Sequence, residues 1–157
     1  MADHALYFVG RHQHPLAGRD KVTAAQTFAF PFIAPARIPP RLLEPMLQAR
    51  RKSAGRKAAA QAFPALECNV LATVKQLVEG SDAVTALTLS CISAELQQRR
   101  LTLLGTKPWL TVRYGVVGLK GHPMSSAALR FREFVVQAET EVAPSERKVL
   151  ASWTARG

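Results

Sequence analysis

The segment AVTALTL (83–89) constrains the fold most, because apolar and β-branched residues occupy nearly all of its positions. A strand with one face in water alternates apolar and polar side chains, and this segment does not alternate. A strand that is apolar on both faces is typical of a parallel sheet with helices packed on either side. The segment therefore predicts an internal strand of an α/β protein.

Extended and helical segments alternate on both sides of this strand. FAFPFIA (28–34) and AQAFPALEC (60–68) have the composition of strands, and a helix capped by Ser90 and running through Arg99 follows AVTALTL. Two more helices have apolar residues at a spacing of three or four: Leu42, Leu43, Met46 and Leu47 after Pro39-Pro40, and Val70, Val74, Leu77 and Val78 before Gly80. This order predicts an α/β fold with a doubly wound parallel sheet.

A further extended segment lies on each flank of this unit, LYFVG (6–10) and LTVRYGVVGL (110–119). The segment 125–142 follows the second as an amphipathic helix, and its predicted buried stripe is Leu129, Phe134, Val135 and Ala138. We therefore divide the chain into four parts: a strand and loop over 1–19, a complete α/β subdomain over 20–109, a returning strand and helix over 110–142, and a flexible tail over 143–157.

Composition excludes several classes of protein. The chain has 157 residues, which is enough for one domain with a core, and 48% are hydrophobic, which argues against disorder. No apolar run approaches the roughly 20 residues that span a bilayer, and the start MADHALYFVG lacks the features of a secretion signal. The cysteines, Cys68 and Cys91, are far apart in apolar stretches, so we expect no disulfide framework and a cytoplasmic protein without membrane contact.

The chain has 21 basic and 11 acidic residues, and the resulting net charge of +10 raises the question of an acidic partner. The densest basic run comprises Arg50, Arg51, Lys52, Arg56 and Lys57. It has no interleaved aromatic residues and no helix-turn-helix, zinc-finger or RNA-binding pattern beside it. A solvated helix end is therefore preferred to a specific nucleic-acid site.

Two histidines one residue apart, His12 and His14, raise the question of a metal site. A zinc site needs three or four ligands, and no acid or thiol stands at a suitable spacing from them. Pro15 favours an extended His14, as in a turn, so we interpret RHQHPLAG as a loop. The sequence also contains no phosphate loop, Gly-x-Ser-x-Gly or His-Glu-x-x-His motif, so we expect neither an enzyme nor a bound cofactor or metal.

Candidate binding residues follow the three predicted strands. Open α/β sheets bind ligands beyond the carboxyl ends of their strands, where helix N-termini present free N–H groups. Arg37 would pair with a carboxylate there, and the Thr88 and Ser90 hydroxyls would donate hydrogen bonds. Helix capping by Ser90 and Asn69, with a solvent-exposed Arg37, explains the same residue types. The candidate ligand-binding residues are Ala34, Pro35, Ala36, Arg37, Glu67, Cys68, Asn69, Thr88 and Ser90.

Three stretches together resemble the effector-binding domain of LysR-type transcriptional regulators. They are LYFVGRHQHPLAGRDKV (6–22), LVEGSDAVTALTLSCISAELQQRRL (77–101) and YGVVGLKGHPMSSAALRFREFV (114–135). The resemblance covers most of residues 5 to 142 and lies in the order and spacing of these motifs.

The resemblance implies a periplasmic-binding-protein-like second subdomain, two crossover strands and the last helix of an incomplete first subdomain. It implies a small-molecule effector, which we expect to be a small organic anion, and a homo-oligomeric parent protein. We expect the chain to be a truncated regulator, whose DNA contacts would require a missing N-terminal helix-turn-helix domain. The alternatives are a stand-alone solute-binding domain and a basic protein that binds nucleic acid without sequence preference.

Overall fold

The structure is a computed structural model that describes residues 3–53 and 62–154. Its strands are β1 (Asp3–Arg11), β2 (Ile33–Ala34), β3 (Leu66–Glu67), β4 (Thr85–Leu87) and β5 (Leu101–Arg113). Its helices are α1 (Ala24–Thr27), α2 (Pro40–Ser53), α3 (Leu71–Glu79), α4 (Leu89–Gln97) and α5 (Ser126–Thr154).

The strands form a mixed arrangement. A three-stranded sheet has the order β4-β1-β5, and both of its pairings are antiparallel. β2 and β3 pair in parallel, and a parallel bridge between Phe32 and Val84 joins β2 to the end of the larger sheet. The α/β class is confirmed, whereas a doubly wound parallel sheet is not. The reason is that β1 lies between β4 and β5 and is antiparallel to both.

Helices cover both faces of the sheet. Phe8 and Val9 are neighbours in β1, so their side chains point to opposite faces, and each is fully buried in a different apolar cluster. The cluster around Phe8 includes residues of α2, and the cluster around Val9 includes residues of α3 and α4. All three residues of β4 are buried. The prediction that AVTALTL contains a strand covered on both faces is therefore confirmed.

Three strands differ in extent from the prediction. In FAFPFIA only Ile33–Ala34 is a strand, because a capping box between Thr23 and Gln26 starts α1 and Phe28 ends it. In AQAFPALEC only Leu66–Glu67 is a strand, and residues 60 and 61 lie outside the described ranges. β5 begins nine residues earlier than LTVRYGVVGL and ends at Arg113, which pairs with Asp3, the first residue of its antiparallel partner β1.

The last helix is longer than predicted and packs through its other half. α5 continues to Thr154, through the segment predicted to be a flexible tail. Val149, Leu150 and Trp153 pack against the cluster around Val9. In the predicted stripe Leu129, Phe134 and Ala138 are exposed and only Val135 is half-buried, because no described element covers that half of the helix.

The connection from α4 to β5 contains an arginine in a left-handed conformation. The Arg99 N–H donates to the Leu96 carbonyl, and the Arg100 N–H donates to the Glu95 carbonyl, as in the Schellman motif that ends many helices. The position of Arg99, with φ of 55°, is the one that glycine usually occupies. Among the described residues it is the only non-glycine residue with positive φ. This conformation costs an L-residue about 1–2 kcal/mol relative to the right-handed one.

The two histidines lie in a loop after β1, as predicted. His12 is exposed, whereas His14 is buried and contacts the ring of Phe30 at 4.5 Å between centroids. The His14 Nδ1 accepts a hydrogen bond from the Leu16 N–H at 3.1 Å, so its Nε2 carries the proton and donates to the Asp82 carbonyl at 3.2 Å. His14 therefore joins this loop to the turn before β4.

We predict that His14 makes the protein less stable in mild acid. Burial lowers the pKa of His14 below its usual 6.5, so the unfolded chain binds this proton more readily than the folded chain. Its contribution to stability is complete above pH 6.5 and is lost as the pH falls from there through the folded-state pKa. Urea unfolding of wild type and His14→Gln at pH 7.5 and 5.0 measures this loss. His12→Gln should retain the wild-type pH dependence of the free energy of unfolding. If this free energy falls equally between pH 7.5 and 5.0 in His14→Gln and in wild type, the prediction is contradicted.

We also predict unequal effects of aromatic substitutions in the two halves of α5. Trp153→Ala should lower the free energy of unfolding by about 1–3 kcal/mol. This loss is smaller than the loss expected at a fully buried tryptophan, because the Trp153 ring is half-buried. Phe131→Ala should change it by less than about 0.5 kcal/mol, because 65% of that side chain is exposed. Urea denaturation of both variants is the measurement, and a neutral Trp153→Ala would show that the end of α5 does not pack on the sheet.

Candidate functional site

The predicted binding residues gather at one edge of the sheet. β2 and β3 pair with Ala34 opposite Glu67, and the Cys68 N–H donates to the Ala34 carbonyl at 3.0 Å. The bridge between Phe32 and Val84 makes β4 the other parallel neighbour of β2. The carboxyl ends of these three strands therefore face the same way, and Thr88 follows β4 at that edge.

The predicted residues differ in accessibility along this edge. Ala34 and Thr88 are buried, and Pro35 and Cys68 are half-buried. The exposed ones are Ala36, Arg37, Glu67, Asn69 and Ser90. Cys68 also packs against the apolar cluster around Val9, as does Cys91. The buried members form the floor of an open edge, and the exposed members form its rim.

The capping roles predicted for Ser90 and Asn69 are wrong. Thr88 is the N-cap of α4, and Ser90 lies within the first turn. Val70 is the N-cap of α3, so Asn69 lies one residue before the cap. The cap is the last residue with extended backbone, and the extended conformation continues through Thr88 and Val70.

The starts of α3 and α4 have no side-chain cap among the described residues. The Thr88 hydroxyl is instead 3.0 Å from the Ser90 hydroxyl and 3.3 Å from the Cys91 sulfur. Helix α1, away from this edge, has a complete capping box. The Cys91 N–H donates to the Thr88 carbonyl at 3.1 Å, and the other N–H groups of the first turns of α3 and α4 are available to a hydrogen-bond acceptor outside the helix.

Tyr114, which is not among the predicted binding residues, lies beside Thr88. Burial is the main cause that raises the pKa of Tyr114, and a hydrogen bond with the Thr88 side chain opposes this effect. The Tyr114 ring is 5.4 Å from the ring of His4, whose Nε2 is 2.6 Å from the Glu139 carboxylate. His4 belongs to β1, Tyr114 directly follows β5, and Glu139 belongs to α5. Tyr114 stood inside a segment predicted as strand, and no local pattern marked it.

Acidic side chains of α5 stand near the same hydroxyl groups. Glu146 and Glu139 both contribute to raising the pKa of Tyr114. One Glu146 carboxylate oxygen, Oε1, is buried without a hydrogen-bond partner in the described part of the protein. The edge thus combines hydroxyl groups and helix N–H groups with nearby carboxylates. Such a set of groups can bind and orient a polar ligand.

Three of the five residues of the basic run lie at a helix end. Arg50, Arg51 and Lys52 form the last turn of α2, where positive charge is favourable to the helix dipole. The Arg50 guanidinium lies 5.2 Å from the centre of the Phe63 ring. Arg56 and Lys57 lie outside the described residues.

Within residues 3–53 and 62–154, no three His, Cys, Asp or Glu side chains are grouped so that they could hold a metal ion. No helix in these ranges is both long and apolar enough to cross a membrane.

Comparison with known proteins identifies the family. Curated proteins give no match to this chain. Residues 1–140 match the family described as LysR substrate binding domain, which covers most of the 157 residues. The mixed α/β fold agrees with a domain of this kind. The chain therefore belongs to the LysR substrate binding domain family.

Proposed function

We propose that this chain is the effector-sensing part of a LysR-type transcriptional regulator and that it binds a small organic anion. Binding at the sheet edge would be converted into a rearrangement of subunits in a homo-oligomeric regulator. Recognition of operator DNA would belong to another part of that regulator. The family match supports the sensing role, and the helix N–H groups, the hydroxyl groups and Arg37 at the edge support the anionic ligand.

The uncapped starts of α3 and α4 carry the proposal. A helix normally satisfies some of its first N–H groups with a side chain of the cap residue, and α1 does so. At the edge the adjacent helices α3 and α4 have no such side-chain hydrogen bond. They follow β3 and β4, which both end at this edge. An anion bound there would accept hydrogen bonds from the N–H groups and interact favourably with both helix dipoles.

The side chains at the edge suit a carboxylate. The hydroxyl groups of Thr88, Ser90 and Tyr114 would donate hydrogen bonds to it. Arg37 is exposed on the segment between β2 and α2 and would add a positive charge at the rim. The half-buried Cys68 would contact the apolar part of the ligand, above Ala34, which is fully buried. Specificity would come from the few polar groups, since the floor is apolar.

The open shape of the edge predicts weak binding. Five of the nine proposed ligand residues are exposed, so a small ligand would keep much of its surface in water. We expect succinate to bind with a Kd on the order of 1 mM. Amide NMR shifts on titration with succinate should cluster at residues 34–37, 67–69 and 88–91. Shifts confined to Arg50–Lys52 would mean that only surface charge responds and would contradict the site.

Substitution of the rim arginine tests the same site. Arg37→Gln should weaken succinate binding about two- to fivefold, because an exposed ion pair contributes about 1 kcal/mol or less. Arg51→Gln removes the same charge from the exposed end of α2 and serves as the matched control. An equal loss of affinity in both variants would show a general effect of net charge and would refute the role of Arg37.

A further inference from the structure

A concave surface lies at the outer edge of β5. We call it the β5 groove. It has a volume of about 940 Å³, which is within the usual range for small-molecule sites. Seven consecutive residues of β5, Leu101 to Lys107, form one wall, and the loop from Ala17 to Thr23 and the end of α5 form the others. The groove begins where β5 begins, whereas the strand-end edge lies beyond the end of β4, at the other end of the sheet.

One part of the β5 groove is apolar and aromatic. Leu101 and Leu103 are buried there beside Leu96 of α4, and the half-buried rings of Tyr7 and Trp153 complete this surface. Flat aromatic side chains provide a large contact area and lose little conformational freedom when a ligand binds. This surface suits the body of an apolar molecule.

The rim of the groove is cationic. Arg19, Lys21, Arg99 and Lys107 line it, and Asp20 is the only acidic residue among its lining residues. The Lys107 ammonium group donates to the Val22 carbonyl at 2.9 Å. No ion pair involves the charged groups of Arg19, Lys21 or Arg99 in the described part of the chain. Among the described residues, these three positive charges have no ion-pair partner, and Asp20 is the one lining residue that offsets part of the charge around the groove.

Arg99 gives the strongest indication that the groove binds a ligand. It occupies the left-handed position of the Schellman motif, where glycine would avoid the conformational cost. Conformations that cost stability are often found at binding sites, where the side chain serves another purpose. The Arg99 side chain is exposed at the groove and has no structural ion pair among the described residues.

We propose that the β5 groove binds an amphipathic organic anion, a carboxylate attached to an aromatic or aliphatic body. The body lies on Leu103, Tyr7 and Trp153, and the carboxylate lies at Arg99 with Arg19 and Lys21 nearby. This site is separate from the effector site at the strand ends and does not depend on it.

The edge strand itself argues against a peptide as the occupant. A peptide would pair with the backbone of β5, but Pro108 has no N–H to donate, and Gly105, with φ of 120°, lies where the pairing with β1 shifts register. Lys107 beside them is a residue that commonly blocks edge pairing. A small molecule needs the side chains alone, so these features do not oppose it.

The test is titration calorimetry of the whole chain with three probes. 1-Naphthoate carries both a ring and a charge, 1-naphthalenemethanol has the ring alone, and acetate has the charge alone. We expect 1-naphthoate to bind with a Kd on the order of 100 µM and the other two at least tenfold more weakly. Equal binding of 1-naphthalenemethanol would show that the cations take no part and would overturn the proposal.

Arg99→Gly distinguishes a binding role of Arg99 from a structural one, because we expect it to raise the melting temperature and to lower the affinity for 1-naphthoate. The melting temperature should rise by about 2–4 °C, since glycine relieves the left-handed conformation. The affinity for 1-naphthoate should fall at least fivefold. A lower melting temperature, or unchanged affinity, would overturn the proposal.

Arg132→Gln is the matched control for this variant. It removes the same charge beside Phe131, in the exposed half of α5, which is another apolar and basic surface. We expect affinity within about twofold of wild type, the change that altered net charge alone would cause. A loss of affinity in Arg132→Gln with none in Arg99→Gly would place the ligand on α5 instead of the β5 groove.

Discussion

The burial of β1 at the centre of the larger sheet is the constraint on which the rest of the structure depends. Phe8 and Val9 are 1% and 0% exposed, and they belong to the apolar clusters on opposite faces. The same strand pairs with β4 through residues 7–9 and with β5 along its whole length. The helices on both faces therefore pack around one strand. The register that pairs Tyr7 with Leu87, the last residue of β4, determines where the strand-end edge begins.

The parts of the fold that follow from local patterns could be predicted from the sequence. β4 was predicted from a run that is apolar on both faces, and α3 from Val74 and Val78 at helical spacing. The direction of the sheet could not be predicted in this way. It depends on which strands pair with LYFVG, and its partners lie more than 70 residues away in the sequence. Periodicity reports which side of a segment is buried and carries no information about such pairings.

The candidate site likewise contains residues whose position could be predicted from the sequence and residues whose position could not. The order of strands and helices was enough to bring Ala34, Glu67 and Thr88 to one edge, because strand ends in a parallel arrangement face the same way. The neighbours of Thr88 could not be found like this. Tyr114 and His4 meet because β1 and β5 align Asp3 with Arg113, and an ion pair at 2.8 Å between those two side chains lies at the same end. That register depends on bulges at two places along β1, and no local pattern specifies them.

The pairing of β1 also has a consequence for biosynthesis. β1 leaves the ribosome roughly 70 residues before β4 and about 90 residues before β5, which at 5–20 residues per second is a delay of several seconds at least. During that delay Phe8 and Val9 form part of an extended apolar segment whose partner strands do not yet exist. Such a segment is prone to pair with other nascent chains. Folding of this domain is therefore dominated by contacts distant in sequence, and its yield in a cell should depend on translation speed and on chaperones that shield the emerging strand.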